Sequence, residues 1–315
     1  MQSASKQHRR TGVLGIHSMD HFSIAVPDLG AARKFYDTFG LTTQEDGRHL
    51  GLYTAGHPHR WGRLVEGPRK QLQYLSFGAF ADDVPRFAEH LQKHGIERLK
   101  APPGEDDTGI WFHSPQGHLF EIRAAEKSSP DEKSAFGLDA PASPLRATFS
   151  RATAPTIHPR RLSHVALYTA DVGGSIEFLS AILGMRLSDR SRDLVAFMHG
   201  VHGSDHHMVA LVKSPGPGFH HCSWDVGTPQ DVGLGLMQMA VNGHGAGWGF
   251  GRHVLGSNYF HYVRDPWGSY CEYSAGIDYI PCGMDWPSED WPPEDSMFLW
   301  GPFPPEDFIT NFEVQ

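Results

Sequence analysis

Cysteine is scarce in this chain: Cys222, Cys271 and Cys282 are the only three in 315 residues, an odd number with no CxxC spacing. That argues against a disulfide framework and a cysteine-built zinc site, and the three read as reduced and structural. Long apolar runs are missing too. No stretch approaches the ~18 consecutive apolar residues of a membrane helix, and the opening MQSASKQHRRTG lacks the apolar centre of a secretory signal. No membrane partner is expected, and the expected compartment is the cytoplasm. A basic surplus is absent as well. The 27 Lys and Arg stand against 36 Asp and Glu, net −9, with no basic stripe, so a nucleic-acid partner has no electrostatic footprint.

What is abundant is histidine, 21 in all, the side chain most often recruited for metals and for proton transfer near neutral pH. Abundance alone assigns nothing, so each histidine needs a position that argues for it. An internal repeat supplies positions. DHFSIAVPDLGAARKFYDTFGLTTQED, from Asp20, reads onto SHVALYTADVGGSIEFLSAILGMRLSDR, from Ser163: an alternating strand, a loop with Asp, an amphipathic helix, then a Gly-Leu or Gly-Met turn. QLQYLSFGAFADDVPRFAEHLQKHGIE matches FHHCSWDVGTPQDVGLGLMQMAVNGHG, again a strand and then a helix. WFHSPQGHLFEIRA around Pro115 resembles YVRDPWGSYCEYSA around Pro266, two strands about a Pro-x-Gly turn.

The pattern predicts an α+β chain of four units, each a strand, a helix and several strands, two to a half. Residues 127–158 are rich in Pro, Ser and Ala without periodicity and read as a linker, which sets a boundary near residue 150. The expected division is 1–150, 151–280, and a Pro- and Trp-rich tail over 281–315. Repeated Pro forbids long helices and central strands in that tail, while its Trp and Phe offer apolar area for packing over the body, for an oligomer interface or for a lid.

Three residues of the second half fall at corresponding points of three strands: His164 in SHVALYT, His220 or His221 in FHHCSWDV, and Glu272 in SYCEYSA. Two histidines and one carboxylate form the facial set that holds non-haem iron(II) with open positions. Period-two alternation allows all three side chains to share one sheet face. The repeat marks the same places independently: His21 aligns with His164, Tyr74 with His221 and Glu121 with Glu272, at separations of 143, 147 and 151 residues. The first half keeps two of the three residue types, as a duplicated metal module that has lost its metal would.

The run GRHVLGSNYFHYVRDPWGSYCE, with His253, Tyr262, Asp265, Pro266, Gly268 and Glu272, resembles the signature of the type I extradiol ring-cleavage dioxygenases of the vicinal oxygen chelate superfamily. The resemblance spans roughly residues 16 to 280 and leaves the tail outside. It implies two tandem barrel domains of βαβββ pairs, a mononuclear Fe(II) or alternatively Mn(II), and His164, His221 and Glu272 as ligands. It also implies that Tyr262 and His253 orient the bound catecholate, and that HHMVAL carries the acid-base histidine, His207 with His206 as runner-up. Partners would be a catechol-type aromatic and dioxygen, with a homo-oligomer as the expected assembly. Pocket-wall candidates are His206, Phe197, Trp248, His199, His202 and the Trp-rich tail. Two positions depart from the pattern. His261 stands where an aliphatic residue or Phe is usual, and Ala166 where some relatives carry Asn, which places more of the oxygen handling on His207. Ring cleavage giving a muconic semialdehyde-type product is the implied activity. The alternatives are a metal-dependent isomerase or lyase of the glyoxalase type, and a non-catalytic ligand-binding member of the superfamily.

Overall fold

In a computed structural model, residues 8–137 and 144–314 are described; the centre of the expected linker, 138–143, lies outside them. The first half runs β1 (Ser18–Val26), α1 (Leu29–Phe39), β2 (Thr42–Asp46), β3 (His49–Tyr53), β4 (Arg60–Glu66), β5 (Gln71–Ala79), α2 (Val84–Lys93), β6 (Ile110–His113) and β7 (Leu119–Ala124). The second runs β8 (Arg161–Thr169), α3 (Val172–Leu183), β9 (Arg186–Ser191), β10 (Val195–His199), β11 (Ser204–Asp205), β12 (Val209–Lys213), β13 (Gly218–Asp225) and α4 (Pro229–Val241). It continues through β14 (Gly247–Arg252), β15 (Tyr259–Arg264), β16 (Tyr270–Ala275), β17 (Tyr279–Ile280), β18 (Glu289–Asp290) and α5 (Pro293–Ser296). One sheet has the order β2-β3-β4-β1-β5-β7-β6 and the other β14-β15-β16-β13-β8-β12-β10-β9-β18, with β11 and β17 forming a separate pair.

The repeated sequence becomes repeated structure through the same local chemistry. The Asp28 side chain accepts from the Ala31 N–H at 2.9 Å to cap α1, and Asp171 accepts from Gly174 N–H at 2.9 Å to cap α3. Each helix stops at a left-handed glycine, Gly40 at φ 95° and Gly184 at φ 68°. A side chain at either would collide with backbone, the carbonyl of Ile157 or of Leu14, so these glycines also let neighbouring segments close in. In the second unit the strand before β6 shrinks to one bridge, Leu99 to Trp111, because the following APPGEDDT offers Pro and Gly where a ladder needs donors and side chains.

Among the described residues the larger apolar core runs through both halves, and a smaller one gathers Trp248, Phe260, Tyr262, Tyr270 and Phe308. Phe22 meets Phe219 at 5.4 Å between ring centroids, and Phe39 stacks on Tyr273 at 3.8 Å, whose hydroxyl donates to the Phe39 carbonyl. The tail is more ordered than its prolines suggest. Glu289 and Asp290 add β18 in parallel beside β9, and Glu313 accepts from the backbone N–H groups of Leu72 and Phe219 and pairs with Lys70, joining both sheets. No helix among the described residues is long and apolar enough to cross a membrane.

Candidate metal centre and active site

Register decides which side chains meet. Ser223 of β13 lies opposite both His164 of β8 and Glu272 of β16, so these two share one rung and one face, and His221 sits two residues back on the same face. The Nε2 atoms of His164 and His221 lie 3.1 Å apart and 3.3 and 3.6 Å from Glu272 Oε2. All three residues are buried, and among the described residues they form the one group of three such side chains close enough to share an ion. The choice left open between His220 and His221 resolves by geometry. A register shift between Phe219 and His221 lets both rings border the cavity, but His220 reaches only the far nitrogen of His221, 2.6 Å between Nδ1 atoms.

The trio lacks the protons to satisfy itself. Glu272 is fully buried, its Oε1 faces the Asn258 amide at 3.3 Å, and its Oε2 has no hydrogen-bond donor. Burial, reinforced by the neighbouring imidazoles of His220, His164 and His253, pushes His221 well below its ordinary pKa, so it stays neutral with a lone pair to offer. A buried carboxylate with an orphaned oxygen beside imidazole nitrogens is the donor chemistry that a divalent cation completes.

The trio opens on a cavity of about 350 Å³, lined mainly by apolar atoms. On one side is His207, its ring centroid 4.0 Å from that of His164 and 4.7 Å from that of Phe197. Burial first, then the surrounding imidazoles, push its pKa well down, so it too is neutral. On the other side, β15 lays Tyr262 opposite Glu272 and β14 lays Trp248 opposite Tyr262, their rings stacked at 14°. His253 donates from Nδ1 to the Met297 carbonyl at 2.6 Å, since a carbonyl only accepts. Its Nε2 therefore accepts from the Tyr262 hydroxyl at 3.0 Å. Burial, with the Glu272 charge nearby, raises Tyr262 well above the ordinary phenol range and keeps that hydroxyl protonated.

Most sequence-chosen residues converge here: His164, His221, Glu272, His207, Tyr262, His253, Phe197 and Trp248 all line or close the site. Three do not line the cavity, and each is a correction. His206 lies behind His207, bonded to Asp189 and fully buried. His199 closes on Ser188 at 2.8 Å, and His202 packs against Phe80 beside Arg10. His206 and His207 touch through their Nδ1 atoms and only His207 borders the cavity, while His199 ends β10 and His202 lies in the turn beyond it. An unforeseen contributor is Asn258, which donates to Ser274 at 2.9 Å while facing Glu272; the tail, expected at the pocket wall only as a segment, brings Pro293, Met297, Phe308 and Ile309 over the cavity. The tail thus packs over the body and covers the cavity.

The first half presents the same rung and fills it differently. His21 and Glu121 again flank one residue, Ser76, with Tyr74 two residues back. There, Asp20 takes the His21 Nδ1–H at 2.7 Å, and the Tyr74 hydroxyl donates to Glu105 at 2.7 Å. Glu105 in turn pairs with Arg63, and Ser76 donates to Glu121 at 2.5 Å. Every would-be ligand has a partner of its own.

Two sheets built from four repeated strand–helix units, only the second gathering two histidines and a glutamate beneath an apolar cavity, define the extradiol dioxygenase class of the vicinal oxygen chelate enzymes. The chain belongs to the Glyoxalase/Bleomycin resistance protein/Dioxygenase superfamily, whose model matches residues 18–122 and 161–273. It is 47% identical over 299 residues to "Metapyrocatechase 2" of Cupriavidus necator, spanning 95% of this chain and 93% of that protein. It is 25% identical over 312 residues to the "Manganese-dependent 2,3-dihydroxybiphenyl 1,2-dioxygenase" of Geobacillus genomosp. 3, spanning 91% of this chain and 94% of that one. Among solved structures, an extradiol ring-cleaving dioxygenase from B. fuscum matches with a TM-score of 0.76 at 22% identity, covering 96% of this chain and 84% of its own.

Proposed function

We propose that the chain opens a catecholic ring beside its diol with dioxygen, at a single Fe(II) held by His164, His221 and Glu272, to give a muconic semialdehyde-type product. The observation that carries the reading is the orphaned Glu272 Oε2, facing two imidazole Nε2 atoms at the floor of an apolar cavity with His207 on one flank. Bound there, the metal would supply a Lewis acid and one-electron partner that templates diol and dioxygen together. The protein residues supply the rest. Tyr262, held by His253, orients the diol through its hydroxyl, and the neutral His207 Nε2 takes a proton from the substrate and later returns it. Trp248, Phe197, Leu255 and Phe308 exclude water and favour a flat, apolar ring. Mn(II) suits the same donors, and the manganese-dependent relative supports it as the second choice.

The same reading places the chain in the cytoplasm and divides it into a non-catalytic part to about residue 150, a catalytic part to about 280, and a roofing tail. It also makes the working form a homo-oligomer, in keeping with the exposed Leu299 and Phe303. Anaerobic loading with Fe(II), then catechol and air, tests the activity. A yellow product with one dioxygen consumed per ring is expected. Conversion without oxygen uptake would point to an isomerase, and binding without conversion to a sequestering protein; either contradicts the proposal.

A further inference from the structure

Behind His207 the structure builds a buried chain of hydrogen bonds that opens on the cavity only at its end. His207 Nδ1 meets His206 Nδ1 at 3.0 Å, and His206 Nε2 meets Asp189 Oδ2 at 2.9 Å. Asp189 of β9 is only 6% exposed, and His206 is fully buried. Its carboxylate takes further bonds from the tail: the Glu289 N–H at 2.9 Å, Trp291 Nε1 at 3.2 Å and Trp286 Nε1 at 3.4 Å. Trp286 also sets its ring edge-on against His206 at 5.4 Å. Four donors converge on one carboxylate, and none of its surroundings asks it to give a proton.

We infer that Asp189, fixed by the tail tryptophans, is a positioning residue that sets the proton order of the His206–His207 pair and so leaves the His207 lone pair facing the substrate. This rests on His207 being the acid-base group. A carboxylate accepts and cannot donate, so the proton in its bond with His206 belongs to His206 Nε2. With one proton on each ring, His206 Nδ1 then presents a lone pair, and the proton between the rings belongs to His207 Nδ1. His207 Nε2, the nitrogen without a protein partner, is left unprotonated toward the cavity. A donor in place of Asp189 would reverse each bond in turn and put a proton where the base needs a lone pair. The tail thereby acts on the chemistry through three hydrogen bonds in series, beyond its part as a roof.

Nitrogen-15 spectra of histidine-labelled full-length protein read the order directly, with His207 assigned from its loss in His207→Gln. The wild type is expected to carry its His207 proton on Nδ1, and Asp189→Asn to move it to Nε2. A wild-type His207 protonated at Nε2, or a proton position unchanged in a folded Asp189→Asn protein, overturns the inference. In turnover, Asp189→Asn should lower kcat about tenfold to a hundredfold while KM and metal content hold, and Asp189→Glu, which keeps the acceptor, should recover part of the loss. Full kcat in Asp189→Asn contradicts the assignment while leaving ring cleavage standing. A wild type that converts no catechol contradicts the function instead, and the nitrogen spectra still decide the proton order. The wild-type reading needs only the His207→Gln protein to fold, not Asp189→Asn.

Discussion

The two halves place the same three strands in the same register, yet only one leaves its polar rung unfinished. In the first half His21 is matched by Asp20, Tyr74 by Glu105, Glu121 by Ser76, and the Arg63 guanidinium supplies positive charge inside the protein. In the second, Asp20 is replaced by Ser163, whose hydroxyl turns away to Asp205, and His164 Nδ1 and Glu272 Oε2 are left without partners. A buried polar group without a partner costs roughly 1–3 kcal/mol, so a fold that carries several on one face has given up stability there. The difference teaches that the scaffold does not make the site. The site is made by withholding partners from a rung that the sister half satisfies.

The comparison breaks most sharply at His207. Replacing His207 by Ala should lower kcat by about 10²- to 10⁴-fold with metal content intact, measured by oxygen uptake and metal analysis. Activity kept within a factor of two or three would remove it from the chemistry. The first half should show the opposite balance. Arg63→Met strands the Glu105 carboxylate and should cost roughly 3–5 kcal/mol in denaturant unfolding, with kcat per folded molecule almost unchanged. A large fall in kcat without lost stability would mean that the halves are not divided into support and chemistry. The smallest effect is on pH. Burial holds His17, in the first half, and His199, in the second, down to about 4. Between pH 6.5 and 4 the unfolded chain takes up protons that the folded chain refuses, so each histidine makes stability fall as pH falls through that window and has no effect above it. His17→Asn and His199→Asn should each flatten the decline of the melting temperature over that range, by similar amounts; an unchanged slope would contradict the assignment.

Much of this was legible in the chain. The repeat located His164 and Glu272 because duplicated strands keep register, and the Asp28/Asp171 caps with the Gly40/Gly184 stops marked both helices. What stayed hidden depends on contacts far apart in sequence. His206 reads like a second cavity histidine until β9 brings Asp189 behind it and the tail brings Trp286 and Trp291. Asn258 sits in a Gly-Ser-Asn turn of the kind that usually means a loop, and only the pairing of β15 with β16 shows its amide facing Glu272. Phe308 and Met297 belong to a segment whose prolines say only that it is irregular; packing, not periodicity, makes it a roof.

The central claim is one metal per chain, held in the second half alone. Anaerobic calorimetric titration of the metal-free protein with Fe(II), run beside Glu272→Gln and Glu121→Gln, tests it most directly. One equivalent should bind to the wild type and to Glu121→Gln, and tight binding should vanish in Glu272→Gln. Two equivalents in the wild type, or binding that survives Glu272→Gln and is lost in Glu121→Gln, would contradict it.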